Sequence, residues 1–200
     1  MKQILLFTFM LSAAIALLST PAFALPPEAT DRLLIVKNIP ENWKVLSWAP
    51  PGNGDGGPAE FRPADQLGEH STDSIKIRSF NNGSFRLSEF ARGLTRFNSK
   101  EQCTYYSQST PEFDTRNGFE SVSVVDICSD RKTTGMGDIT IYKAISSPGW
   151  IMVGERTIRL PAVDEKTRPA ATHFEVLKQW ARGVYLCAND GSNRDCPAIR

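Results

Sequence analysis

The feature that most restricts the fold lies at residues 139–158. Two runs rich in β-branched side chains, Ile139 to Ile145 and Trp150 to Ile158, flank Ser146-Ser147-Pro148-Gly149. Proline presets φ at the second position of a turn and glycine accepts the positive φ of the third. The tetrapeptide therefore predicts a type II turn between two antiparallel strands. Phe119 to Cys128, carrying Val122, Val124, Val125 and Ile127, is a further strand candidate, and only a break at Gly135-Met136-Gly137 separates it from the hairpin. Strands that succeed one another without a helix pair antiparallel. The expected class is α+β, a mostly antiparallel sheet with two amphipathic helices packed on it, not a doubly wound α/β fold.

Upstream, Leu33 to Val36 is a short apolar run, and Trp43 to Trp48 reads as a strand bounded by Pro40 and Pro50-Pro51. Residues 50–58 are expected to form a flexible glycine-rich loop. Ala59 to Arg62 and Asp73 to Phe80 are further strands; in the second, Ile75, Ile77 and Ser79 point one way, with Lys76, Arg78 and Phe80 opposite. After an Asn82-Gly83 turn, Ser88 is the expected cap of a first helix with Phe90, Leu94 and Phe97 on one stripe. Within the return strand of the hairpin, one of Glu155 and Arg156 is expected to face solvent and the other to lie at the sheet edge. Pro161 and Pro169 bracket a polar linker. Thr172 with Glu175 predicts a capping box for a second helix whose stripe is Phe174, Leu177, Trp180 and Ala181, closing at Gly183.

The amino end reads as an address. Lys2 precedes an almost unbroken apolar run from Ile4 to Leu18, and Ala22-Phe23-Ala24 carries small residues where a signal peptidase reads. That three-part pattern predicts a secretory signal peptide over residues 1–24, a flexible mature start over 25–32, and a single α+β domain over 33–200. A run of about 15 apolar residues is short for the ~20 that span a bilayer, so no stable membrane insertion is expected after removal. The expected location is the periplasm or the medium. The whole chain has 23 basic and 22 acidic residues, and the leader holds one lysine and no acid, leaving a mature balance of zero. Such a chain has no electrostatic reason to seek nucleic acid.

All four cysteines, Cys103, Cys128, Cys187 and Cys196, follow the leader. In an exported chain an even count argues for disulfides, and four cysteines allow three connectivities. The expected pairs are those nearest in sequence, Cys103–Cys128 and Cys187–Cys196, the second clipping a C-terminal tail. Zinc is disfavoured because no C-x-x-C or close histidine spacing occurs.

Chemistry is sparse. His70 beside Ser71 and near Asp73 does not make a triad by adjacency, and no G-x-S-x-G occurs. His173 sits at the start of the second helix. The carboxylates Asp126, Asp130, Asp138, Asp164 and Glu165 have no diagnostic spacing. Residues 190–195 do not match an EF-hand, and Arg194 opposes a cation. The glycine-rich segment is no P-loop, since no Lys-Ser/Thr and no helix follow it. No cofactor and no metal are implied. Trp43, Trp48, Tyr105, Tyr106 and Trp150 are candidates for a ligand surface, against the alternative that they fill the core.

Pro40-Glu41-Asn42-Trp43 entering a strand, Ser88-Glu89-Phe90-Ala91 opening a helix, and a terminal helix over Phe174 to Trp180 resemble the layout of PsbP-like proteins over residues 33–186. The cysteines and the glycine-rich segment lie outside that likeness. It implies a sheet flanked by helices and an exported accessory or binding factor. The expected function is accordingly that of a non-catalytic exported protein of the bacterial envelope, with an envelope protein or a small ligand as partner. The alternative is an exported hydrolase.

Overall fold

The computed structural model describes residues 22–24, 32–48, 55–67, 71–81, 86–97, 102–162, 169–188 and 196. In chain order the strands are β1 (Ala22–Ala24), β2 (Arg32–Val36), β3 (Trp43–Trp48), β4 (Asp55–Pro63) and β5 (Asp73–Asn81). Helix α1 (Leu87–Phe97) precedes β6 (Tyr106–Gln108), β7 (Glu112–Arg116), β8 (Phe119–Cys128), β9 (Met136–Ser147) and β10 (Trp150–Pro161). Helix α2 (Ala171–Arg182) and β11 (Val184–Ala188) follow. The large sheet runs β3-β4-β5-β10-β9-β8-β6, and β7 pairs with β8 beside β6. A three-stranded sheet runs β1-β2-β11. Every pairing among the described residues is antiparallel, so the fold is α+β.

The hairpin at 148–149 organises the large sheet. Gly149 takes φ +82°, as the third position of a type II turn requires, and Ser147 pairs with Trp150. The strands then continue to Met136 and Pro161, further than their β-branched runs. Gly137, expected in a break, lies inside β9 instead. A Cβ there would stand 2.7 Å from Ser129 O and 3.1 Å from Cys128 O, so glycine permits a close backbone approach.

Period-two alternation sorts the two faces. Ile75, Ile77, Ile139, Ile141, Ile145 and Met152 turn toward α2 and the small sheet, forming one core with Leu34, Val36, Leu177, Trp180 and Leu186. Val122, Val124, Ala144 and Val153 turn the other way, against Leu87 and Ala91 of α1. Gly154 is the reason α2 can approach: a Cβ there would lie 3.1 Å from Trp180 Cη2, and Trp180 is fully buried.

Several expectations are corrected. Asp55 to Pro58 belong to β4, with a register shift between Gly56 and Ala59 where proline cannot donate to the ladder. Residues 49–54 lie outside the described part. Helix α1 begins at Leu87, so Ser88 is inside it; Glu89 reaches back to accept the Arg86 backbone N–H. The side chains of Leu94 and Phe97 are outside the described part. Helix α2 begins at Ala171 behind Ala170, with no side-chain cap, so the Thr172–Glu175 capping box does not form. Gly183 does end α2, but with right-handed φ −82°; its need for glycine is the nearby Lys37 backbone oxygen, 3.1 Å from where a Cβ would stand. Arg156 is neither solvated nor at an edge. It is buried on the central strand β10, where Nη2 donates to Asp73 Oδ2 at 2.7 Å and Nε to Oδ1 at 3.2 Å. A guanidinium is tolerated there because a carboxylate on the neighbouring strand supplies two acceptors.

Both disulfides form, Cys103–Cys128 and Cys187–Cys196. The first ties the segment before β6 to the end of β8. The second clips Cys196 to β11.

A cleft around an unpaired lysine

The register of β9 places one charge in an apolar row. Ile139, Ile141, Lys143 and Ile145 share a face, and all turn toward α2. Lys143 pairs with Ser123 on β8 and with Gly154 on β10, and Glu112 on β7 pairs with Ser123. The side chain is 8% exposed, yet it makes no hydrogen bond or ion pair with any described residue. Burial pushes its ammonium below the ordinary lysine pKa; Asp114 and Glu112 oppose that shift and Arg116 reinforces it.

A cleft of about 460 Å³ opens over this residue. Its floor is Ser121, Ser123, Ile141, Lys143 and Ile145; one wall is α2, through Lys178, Ala181 and Arg182; its end is β11, through Val184 and Leu186. The turn between β7 and β8 closes the remaining side. Asn117 and Gly118 have φ +56° and +79°, the positive pair of a two-residue hairpin turn. Asn117 Nδ2 donates to Leu186 O at 2.9 Å, and Arg116 Nη1 donates to Arg182 O at 2.8 Å. The Arg116 guanidinium also lies 3.8 Å from the centroid of Tyr185. The hairpin tip is thus fastened to the end of α2 and to β11, and the cleft is a built feature. Glu112, Phe113 and Asp114 stand on β7, and Phe113 is 60% exposed. A second hollow of about 250 Å³ adjoins along β6, sharing Glu112, Ser123, Ile141 and Lys178 with the first.

The aromatic residues singled out from sequence do not meet in one place. Trp43 and Trp48 belong to β3 at one end of the large sheet, and Tyr106 belongs to β6 at the other. Trp43 is half-buried beside Arg156, whose guanidinium lies 5.5 Å from its ring centroid; the Trp48 side chain is outside the described part. Trp150 is buried and Tyr105 is 57% exposed. Burial and the neighbouring Asp126 carboxylate raise the Tyr106 hydroxyl well above the usual tyrosine range. Asp126 also accepts from Gln108 Nε2 at 2.9 Å, and Asp138 is paired with Arg131, so these carboxylates are engaged. His70, Asp164, Glu165 and residues 190–195 are outside the described part. His173 lies in α2, with Nδ1 buried and unpartnered among the described residues. Among the described residues no cluster of His, Cys, Asp and Glu could hold a metal, and no helix is long and apolar enough to cross a membrane.

Sequence reasoning missed Lys143 and the hairpin that covers it. Both carried signals. A lysine on the apolar parity of a β-branched strand is out of pattern, and Asn117-Gly118 is a strong two-residue hairpin signal.

No protein-family model matches the chain, and no curated protein sequence matches it either. Solved structures do. The cyanobacterial PsbP protein CyanoP from Synechocystis sp. PCC 6803 superposes with a TM-score of 0.51 at 9% identity, over 88% of this chain and 96% of that one. The Ran-binding protein Mog1p of Saccharomyces cerevisiae gives 0.47 at 12% identity over 84% and 96%, and a mutant form of Mog1 gives 0.48 at 13% over the same shares. At such identities the likeness to CyanoP shows the fold alone: the chain has a PsbP-like arrangement of sheet and helices.

Proposed function

We propose that this chain is an exported accessory protein of the bacterial envelope, periplasmic or secreted, that acts by binding and not by catalysis. One observation carries the reading. A cleft fastened at its tip by two side chain-to-backbone hydrogen bonds holds a buried lysine that makes no hydrogen bond or ion pair with a described residue. Proteins rarely bury an unpaired charge, so such a group marks a place for a ligand or a partner's side chain. The PsbP-like fold supports an accessory role, and two disulfides suit an oxidising compartment. Of the aromatic candidates, exposed Tyr105 and half-exposed Tyr106 and Trp43 are further proposed contact residues away from the cleft, whereas Trp150 is buried and the Trp48 side chain lies outside the described part. Removal of residues 1–24 takes β1 away and leaves β2 paired with β11 alone.

Two measurements test this. Mass spectrometry of protein recovered from a bacterial envelope fraction is expected to show a chain starting at Leu25; a full-length chain retained in the membrane would contradict export. Nitrogen-15 NMR of the mature protein, titrated with the small-molecule fraction of an envelope extract, is expected to shift amides of β8, β9 and α2 around the cleft. Turnover of an ester, peptide or glycoside that disappears in His70→Ala would establish the hydrolase reading instead.

A further inference from the structure

We infer that the cleft recognises a carboxylate on a small apolar body, with the Lys143 ammonium as its counter-ion. This deepens the binding reading and rests on it. The cations around the cleft, Arg116, Lys143, Lys178 and Arg182, outnumber the acids Glu112 and Asp114. Arg116 is engaged by the Tyr185 ring and the Arg182 backbone oxygen, whereas Lys143 makes no hydrogen bond or ion pair with a described residue and is the most buried of the four, Lys178 and Arg182 standing nearer solvent. A largely buried lysine whose ammonium faces a cleft gains from an anion brought to it.

The rest of the cleft describes the ligand's body. Ser123, paired opposite Lys143 on β8, offers its hydroxyl to the second carboxylate oxygen, while the Ser121 hydroxyl is engaged with the Asp114 backbone oxygen at 3.3 Å. Ile141, Ile145, Val184 and Leu186 supply apolar wall, and about 460 Å³ accommodates an acyl chain of modest length. The lowered pKa of Lys143 agrees with an ammonium that lacks its anion in the unliganded protein.

Calorimetric titration of the mature protein with octanoate, octylammonium and octanol at pH 7 tests the assignment. Octanoate is expected to bind at least tenfold more tightly than octanol, and octylammonium not to bind. In Lys143→Met, octanoate affinity is expected to fall about 10- to 100-fold, the factor for a hydrogen-bonded charge pair, while octanol is unaffected. The comparison of the three probes on the unsubstituted protein stands even if the variant fails to fold. Octanol matching octanoate, or octanoate unaltered in Lys143→Met, overturns carboxylate recognition and leaves a binding cleft in place. Failure of all three probes overturns carboxylate recognition; if the NMR titration is silent as well, the binding reading falls with it.

Discussion

Replacing Lys143 by methionine isolates the energetic cost of the cleft. The two side chains have similar length and volume, so the substitution removes the charge and leaves the packing of β9 intact. In the unliganded protein Lys143 is 8% exposed and makes no hydrogen bond or ion pair with a described residue. A buried polar group lacking its hydrogen bonds costs about 1–3 kcal/mol by protein mutational measures. Lys143→Met is therefore expected to stabilise the free protein by that amount. For a chain of this size, 1 kcal/mol moves Tm by about 2–4 °C, which gives a rise of roughly 2–12 °C. The pH dependence is a sharper check. Burial lowers the native pKa of Lys143 below its ordinary 10.5, so between the two values the unfolded chain holds more protons than the folded one. Stability then rises with pH across that window, and the penalty is fully present below it. Glu112, Asp114 and Arg116 on β7, Lys178 and Arg182 on α2 and Tyr185 on β11 also surround the group, and they are common to both proteins. The advantage of Lys143→Met over the unsubstituted protein should thus shrink as pH approaches 10.5. Thermal unfolding of both proteins by circular dichroism from pH 6 to 10.5 measures it. A variant that is less stable at pH 7, or an advantage that does not change with pH, would refute the assignment of Lys143 as a buried, uncompensated cation.

Further outcomes follow from the same packing. Arg156→Met leaves Asp73 without its bidentate partner and is expected to cost about 2–4 kcal/mol in urea unfolding at pH 7. Burial already raises the Asp73 pKa, so the folded state holds its proton above the ordinary 3.8 and stability falls as pH rises through that window; the loss in Arg156→Met should be smaller at pH 4.5 than at pH 7. Gly137→Ala is expected to destabilise by at least 1–3 kcal/mol, because the new Cβ meets a backbone oxygen at 2.7 Å, whereas Gly93→Ala in α1, with nothing within 4 Å, should stabilise by roughly 0.5–1 kcal/mol. Removing Cys103–Cys128, with sequence separation 25, should lower stability by about 3.5 kcal/mol, against about 2.7 for Cys187–Cys196 with separation 9. Calorimetric scans of the two double-alanine variants rank them, and a larger loss from the tail pair would contradict the loop-closure account.

What the sequence determined by itself was local. The turn at Pro148-Gly149 needs only a preset φ and a positive φ, so the central hairpin was legible, and so were Trp43–Trp48 and Phe119–Cys128, whose bounds agree with β3 and β8. The α+β class followed from strand order, and the nearest-neighbour cysteine pairs from the short loops they close. Helix starts were less legible: Thr172 and Ser88 have cap chemistry, yet each lies inside its helix because packing against the sheet sets the first turn. The short strands β6, β7 and β11 have too little period to stand out, and they exist through partners elsewhere in the chain. The cleft belongs wholly to the tertiary structure. Lys143 stands out of pattern on the apolar parity of its strand, but only the pairing of β9 between β8 and β10 fixes which face it takes, and only the docking of α2 and the Asn117 tip onto that face builds the cleft around it. Those contacts join residues up to 69 positions apart, and their formation depends on the free energy of the assembled core, which no local segment carries.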